Sequence, residues 1–558
     1  MSPHPFRAAH PPRIPSGART VRRSVVLLLA ALVAGCALAP ATPAGAPPPH
    51  EDPEPLRLQV LHTNDFHGRI LPQVVDGDTV GGSALEAAHF DSLRVRFPGP
   101  TLLLSGGDVM QGTAVSNLSW GRASIDVHNR KGYDAAALGN HEFDWGLDTL
   151  RARVSESRFP WLAANVVDEA TGSWPGWIRP WVELERDGVR IGVAGVALAT
   201  TPEVVMAGNT AGLLFLEEAP AIDLAVRELR ALEVDFVVVV GHVGAACEVP
   251  GSEPEELSQG CDGRMVEIAR ALSEPVDLFL GGHTHLRNLT EAEGVPLVQV
   301  PAYSQGFSVT RLERRTGEAA RVTHRSIRRP GREGVDPDTT LTRVVEEWSA
   351  EIRPLLERPV AVLATEFSNA ERRPEENPAG NLLADAVRWA TDADVGFINN
   401  GSLRRSLPGG ELPFGILYEF QPFQNELVTV ELTGAQLREA LEFGLTDGGE
   451  PWIHISGLRV RKVPGERRVE AVLTPDGRMI SDEERLTVGT TEFLATGGDG
   501  FVLLTRGPME RKGWVDVDAL AAWLERLPSP VEPPRSERWI RAQAVPGEVE
   551  TGAGAAPR

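Results

Sequence analysis

The sequence has few cysteines, few aromatic residues, no excess of positive charge and no long apolar run beyond its first 36 residues. A net charge of −22 argues against a nucleic-acid polymer as ligand, because a phosphate backbone needs a basic footprint and this overall field repels it. A small phosphate ester is not excluded, since local metals or arginines can overrule the global field. The missing apolar run excludes a transmembrane helix after Cys36, and the lack of an internal repeat excludes a solenoid. Aromatic content of 6% beside 42% hydrophobic residues is that of an ordinary globular protein, and 558 residues exceed what one core accommodates, so at least two domains are expected.

What is present begins with an export signal. Arg22-Arg23 precede the apolar run 25–33, which is too short to span a bilayer. Val33-Ala34-Gly35-Cys36 resembles the cleavage box of bacterial lipoproteins, in which the cysteine becomes the lipidated first residue; a plain secretory peptide is the alternative. Residues 1–36 therefore read as a lipoprotein-type signal and the Ala/Pro-rich residues 37–55 as a tether. The expectation is an exported protein, periplasmic or in the cell envelope, whose contact with membrane is a lipid anchor at Cys36. Of three cysteines that leaves Cys247 and Cys261, either a disulfide formed in an oxidising compartment or two reduced thiols.

From residue 56 short apolar runs alternate with amphipathic stretches. Runs 56–61, 101–104, 161–164, 191–196, 236–240, 276–280 and 297–300 read as buried strands, with helices at 82–96, 220–232 and 263–272. This predicts a layered α/β domain over 56–337. After residue 312 the apolar runs cease until Leu341, which places a boundary there and a linker helix at 338–356. Residues 357–545 read as a second, α+β domain: helix 378–390, strands 395–398, 427–432 and 486–489, and helix 434–443 capped by Thr433. The small, polar residues 546–558 read as a disordered tail.

The polar residues fall where chemistry would need them. Five apolar runs end in glycine-bearing loops: Asn64-Asp65-Phe66-His67-Gly68, Gly106-Gly107-Asp108, Gly139-Asn140-His141-Glu142-Phe143-Asp144, Gly241-His242 and Gly281-Gly282-His283-Thr284-His285. Ligands of open α/β sheets bind beyond the carboxyl ends of strands, so these loops can converge. Asp65 and His67, and likewise His283 and His285, would point the same way from extended segments. Mixed carboxylate and imidazole ligands suit zinc, manganese or iron better than calcium. Two Asp, one Asn and four His suffice for two ions if Asp108 bridges them. Two ions about 3.5–4 Å apart can clamp the attacking and leaving oxygens of a displacement at phosphorus. Any one of these loops alone is ordinary turn chemistry; the five together are not. His62, His89, His128 and His454 read as surface or core histidines.

This motif order resembles the calcineurin-like metallophosphoesterases, and most nearly their 5′-nucleotidase/UDP-sugar hydrolase branch. The resemblance implies an α/β/β/α sandwich holding two divalent ions, zinc, manganese or similar. Asp65, His67, Asp108 and His285 would hold one, and Asp108, Asn140, His242 and His283 the other. It also implies a catalytic dyad: a protonated His141 stabilises or protonates the leaving group, and Asp144 keeps its ring oriented and cationic. Asp144 also suits the N-cap of a helix over 145–153, which does not exclude that role.

The second domain carries the substrate side of the resemblance. Asn377-Pro378-Ala379-Gly380-Asn381 resembles the signature helix of the 5′-nucleotidase C-terminal domain, and Gly497-Gly498-Asp499-Gly500 its last glycine-rich turn. Position by position, Arg373, Asn399 and Arg404 match substrate-binding positions, Phe423 and Phe493 the rings that sandwich a base, and Asp499 the acid that meets ribose hydroxyls. These types suit a nucleotide: aromatic faces stack a base, arginines fork onto phosphate and a carboxylate accepts from a diol. The chain departs from the family by carrying Asn400 and Ser402 where Gly is usual, which would narrow the loop beside the substrate. The expected activity is hydrolysis of nucleoside 5′-monophosphates. The alternatives are a 2′,3′-cyclic nucleotide phosphodiesterase or UDP-sugar hydrolase, and a catalytically silent surface binding protein. In the family the two domains rotate, which would make 338–356 the hinge region.

Overall fold

Apolar strands paired in parallel need crossover connections, and the centre of each sheet of the first domain is built that way. The computed structural model describes residues 54–541 except 76–77, 207, 332–333, 371–372 and 535–536; the expected signal, Cys36, most of the tether and the tail lie outside the described residues. Strands β1 (Leu56–Thr63), β2 (Thr101–Ser105), β3 (Ala135–Ala137) and β4 (Trp161–Leu162) run parallel, with helices α1 (Ser83–Arg96) and α2 (Arg122–Lys131) in the connections. The second sheet begins with the antiparallel pair β5 (Trp181–Arg186) and β6 (Val189–Val196). It continues in parallel through β7 (Phe236–Gly241), reached by α3 (Glu218–Ala231).

After β7 comes a short hairpin, β8 (Ala246–Val249) and β9 (Gln259–Asp262), in which Cys247 stands opposite Cys261 and is joined to it by a disulfide. Helix α4 (Arg264–Ala271) then leads to β10 (Leu278–Leu280), and β11 (Asn288–Ala292) and β12 (Val295–Gln299) complete the sheet. Two antiparallel strands, β13 (Phe307–Arg314) and β14 (Arg321–Arg328), return to β1 and close the first sheet.

The pleat assigns the layers. Val60, Leu102 and Leu104 point between the sheets and pack with Ile191, Val193, Val238 and Val240. Their neighbours Leu61, Leu103 and Ala136 point the other way, onto Phe90, Leu93 and Ile125 of α1 and α2. Ala194, Val237 and Val239 likewise face Ile222, Val226 and Leu229 of α3 and Met265 of α4. The architecture is α/β/β/α. β14 escapes the sequence reading because it is an antiparallel edge strand with alternating exposure and no apolar run.

Helix α5 (Thr339–Ala350) is capped by Asp338, whose side chain accepts from the Leu341 N–H at 2.6 Å. It does more than connect. Val344 and Val345 pack on Phe66, Ile70, Val115 and Val127, which docks the helix on the first domain, and Ile352 and Leu356 carry the contact on to the second core.

In the second domain α6 (Pro378–Thr391) covers one face of a mixed sheet and α7 (Gly434–Phe443) the other. The sheet order is β17 (Ile453–Ser456), β15 (Val395–Asn399), β18 (Arg485–Thr491), β16 (Glu426–Thr433) and β19 (Met509–Val515). Asn377 caps α6 by accepting from the Gly380 N–H at 2.8 Å, and Thr433 with Gln436 forms a capping box on α7. Gly380 is required by contact: a Cβ there would stand 2.2 Å from the ring of His454 on β17. Among the described residues no helix is long and apolar enough to cross a membrane.

The four histidines left aside as core or surface residues, His62, His89, His128 and His454, are all buried. Burial, with a smaller push from Arg538, lowers His454 from an ordinary 6.5 to about 3. The unfolded chain therefore binds a proton that the fold refuses, and stability is lost as pH falls below 6.5. At pH 5, roughly 1.5 units below the unfolded value, this costs on the order of 2 kcal/mol. Urea midpoints at pH 7.5 and 5 should differ less in His454→Gln than in the parent chain; equal differences would show that His454 protonates without cost.

Candidate active site

The loops that follow β1, β2, β3, β7 and β10 meet at one end of the two sheets, and the backbone turns sharply to bring them in. Asp65, His67, Asp108, His283 and His285 all have φ between 49° and 78°, the left-handed region that side-chain-bearing residues rarely occupy. Asp65 with His67 and His283 with His285 thus converge through left-handed turns, not from the extended segments expected from their i, i+2 spacing. Asp65 fixes the His283 loop, both carboxylate oxygens accepting from the His283 N–H at 3.1 and 3.0 Å. Asn64 fixes Asp65, donating to its Oδ2 at 2.6 Å and exchanging hydrogen bonds with the backbone of Val300.

Two donor sets result, and they share one oxygen. Ligand atoms of Asp65, His67, Asp108 and His285 lie within 4.8 Å of one another. On the other side Asn140 Oδ1 is 3.1 Å from both His242 Nε2 and His283 Nδ1. Asp108 Oδ2 lies 3.6 Å from His67 Nε2 and 3.1 Å from His242 Nε2, the place of a bridging carboxylate. His67 and His242 each turn Nδ1 to a backbone carbonyl, Gln111 at 2.7 Å and Gly106 at 2.8 Å. With Nδ1 donating, Nε2 presents its lone pair to the centre, as metal-ligating histidines do. The donor set fits divalent cations. Its charge fits them too: burial opposes a charge on His242, yet Asp108 and Asp65 hold it up at about 10, so positive charge is favoured at Nε2, either a proton or the cation that would replace it.

His141 stands beside these donors without joining them. Its Nδ1 is 2.8 Å from Asp144 Oδ2, and Asp144 and Asp108 outweigh burial to raise its pKa above the usual value. Asp144 is not an N-cap, because the following helix, Gly146–Glu156, is preceded by Trp145. Glu142, assigned no role from the sequence, is buried and accepts from the N–H groups of Asp108, Val109 and Gly139 at 2.9, 2.8 and 2.7 Å. It sets the turn that aims Asp108. Gly139 allows the approach, since a Cβ there would come within 2.1 Å of Asp108 Oδ1. The position of Glu142 inside the motif, between two candidate groups, was the available signal.

A cleft of about 1040 Å³ is lined by Asp108, Asn140, His141, Asp144, His283 and His285 from the first domain. From the second it is lined by Asn399, Arg404, Phe423, Phe493 and Asp499. Phe423 reaches within 5.8 Å of the His141 ring centre, and the Arg404 guanidinium lies 5.7 Å from that of Phe423. Arg404 Nη2 also lies 3.4 Å from His67 Nε2. Arg373 is not brought in: its side chain is 67% exposed, bonds Ala370 O at 3.1 Å and does not line the cleft. Arg405, Asn369 and Tyr303 line it instead, and nothing in the sequence pattern singled them out.

The departures at Asn400 and Ser402 tie the loop down. Asn400 donates to Arg373 O at 2.9 Å and accepts from His454 Nε2 at 3.1 Å. Ser402 donates to Asn399 Oδ1 at 2.5 Å, and Asn399 donates in turn to Asp499 Oδ2 at 2.6 Å. Ser402 lines the cleft, but its hydroxyl is turned onto Asn399.

Two family models match the chain: Calcineurin-like phosphoesterase over residues 58–287, and 5′-nucleotidase, C-terminal domain, over residues 358–506. Cell wall protein Lmo0130 of Listeria monocytogenes is 28% identical over 80% of this chain, which spans 64% of that longer protein. A 5′-nucleotidase of Vibrio cholerae is 27% identical over 89% of this chain and 94% of its own length. The crystal structure of a 5′-nucleotidase precursor from Thermus thermophilus superposes with a TM-score of 0.75 at 27% identity, covering 88% of this chain and 100% of that one. The donor sets lie in the segment matched by the first model and the cleft's aromatic wall in that matched by the second, and the chain belongs to the 5′-nucleotidase family, metal-dependent phosphoric ester hydrolases that join a calcineurin-like phosphoesterase domain to a 5′-nucleotidase C-terminal domain.

Proposed function

We propose that this chain is an exported phosphatase that hydrolyses nucleoside 5′-monophosphates to nucleoside and phosphate. The observation that carries the reading is that one cleft is lined both by Asp108, Asn140, His283 and His285 of the donor sets, with the His141–Asp144 pair, and by Phe423, Phe493, Arg404 and Asp499. Asp65, His67, Asp108 and His285 would hold one divalent ion, zinc, manganese or similar, and Asp108, Asn140, His242 and His283 a second. Bound there, such ions supply Lewis-acid charge on the phosphoryl oxygens and a nucleophile at neutral pH.

The chain's own groups do the rest. Asp144 accepts the hydrogen bond from His141 Nδ1–H, which leaves Nε2–H as the donor to the leaving alkoxide. The raised pKa of His141 keeps that proton available near neutrality. Arg404, between Phe423 and His67, offers a forked cation to phosphate. Phe423 and Phe493 offer faces for a base, and Asp499, oriented by Asn399, an acceptor for a ribose diol. Export is supported by the N-terminal sequence and by likeness to a cell wall protein.

Phosphate release by purified, metal-loaded protein should be faster from AMP or UMP than from UDP-glucose or 2′,3′-cyclic AMP, and should stop on chelation. Turnover that survives complete chelation would remove the metal ions from the reading, and a marked preference for the cyclic nucleotide or the UDP-sugar would replace the substrate. His141→Ala should lower kcat by ~10²–10⁴ with little change in substrate affinity. An unchanged kcat would show that His141 takes no part.

A further inference from the structure

We propose that the Tyr303 hydroxyl donates a hydrogen bond to the phosphoryl group of the substrate, and so is a further catalytic residue; this rests on the phosphatase reading above. The chain has three tyrosines. The Tyr133 hydroxyl is paired with Thr63 Oγ1 at 2.7 Å, and that of Tyr418 accepts from Gln424. The Tyr303 hydroxyl is buried and has no hydrogen-bond partner among the described residues. An orphaned buried hydroxyl is rare in a native fold and calls for a ligand or a water as its partner.

Its position is also built at a cost. Tyr303 and Ser304 are consecutive left-handed residues, with φ of 58° and 63°. The turn is held from four sides. Tyr303 N–H donates to Asp65 O at 2.8 Å, Gln73 donates to Tyr303 O at 2.6 Å, Gly82 N–H donates to Ser304 Oγ at 3.1 Å, and Ser304 donates to Glu86 at 2.5 Å. Glu86 is itself locked at 2.7 Å to Lys131 in a fully buried ion pair. Strain that the surroundings enforce this firmly marks a residue placed for use.

What surrounds the phenol identifies its partner. The ring centre lies 5.2 Å from those of both His67 and His285, and the Arg69 guanidinium is 5.8 Å from it. Tyr303 lines the main cleft and also a smaller cavity of about 200 Å³ shared with Arg69, Arg404 and Arg405. Arginines only donate, and the imidazole lone pairs of His67 and His285 serve the cation site, so none of them can accept the phenolic hydrogen. A non-bridging oxygen of a phosphoryl group can; Glu419, which shares the smaller cavity, is taken up by Arg69 and Arg405, and the Arg404 guanidinium favours an anion at that spot.

Tyr303→Phe keeps the ring and its packing and removes only the donor. Metal content should stay at the level of the parent, kcat for AMP should fall about tenfold or more, and the inhibition constant of inorganic phosphate should rise by a similar factor. If kcat and the phosphate constant both stay within about twofold, the ring is a wedge between two histidines and the proposal is overturned. If the parent protein hydrolyses no phosphate ester, the phosphatase reading fails on its own. Calorimetric affinity for inorganic phosphate then decides: weaker binding by the variant supports the contact, equal binding overturns it. Should the variant not fold, the parent labelled with 3-fluorotyrosine gives three fluorine resonances, and that of Tyr303 must move on adding phosphate for the proposal to stand.

Discussion

The carboxylate of Asp108 is the constraint on which the rest of this molecule depends. One oxygen lies between His67 and His242, and the other accepts from the His141 N–H at 2.9 Å. A single side chain therefore joins the two donor sets and places His141. Its backbone is in the left-handed region, and the turn is held by Glu142, a buried carboxylate that burial and the nearby Asp108 push up to about 7. Two acids packed this closely repel, and what offsets that repulsion is the ring of N–H donors on Glu142 together with the positive charge drawn to the centre.

Much of this was legible in the sequence, for a physical reason. Strands buried on both faces are continuous apolar runs, and the loops that leave their carboxyl ends are where polar residues become conspicuous. The ligand candidates, His141 and Asp144 were visible on that ground, and the structure brings all of them together. What the sequence could not convey was how backbone is aimed. Spacing of i and i+2 suggested extended segments for Asp65 with His67, whereas the structure turns them inward with left-handed φ. Glu142 is held by backbone N–H groups and Tyr303 is placed by a left-handed turn, which leave no periodic signal. Arg373 was placed by matching a motif, and side-chain direction on an irregular loop does not follow from a motif; its guanidinium bonds Ala370 instead.

The charge balance follows the same division of scale. A net charge of −22 repels polyanions from the molecule as a whole. Within the smaller cavity the balance is reversed, because Arg69, Arg404 and Arg405 outnumber Glu419 beside His67 and Tyr303. Glu419 is the counterweight, paired with Arg69 at 2.7 Å and also bound to Arg405. That pairing crosses from one domain to the other. The same carboxylate thus tempers the local positive field and helps hold the second domain against the first.

The donor sets and the aromatic wall are therefore separable in sequence but not in space. The donors come from five loops of one domain and the aromatic wall from another, yet Phe423 stands 5.8 Å from His141. Asn117 of the first domain donates to Pro422 O at 2.8 Å, which fixes the residue next to Phe423. The second domain's own loop is tied inward by Asn400 and Ser402, and the family's usual glycines at those positions could make neither bond. This chain has side-chain anchors beside the cleft where glycines would leave the backbone freer. A loop fixed in that way holds Asn399 and Asp499 in place before any ligand arrives, so less ordering is left to be done on binding.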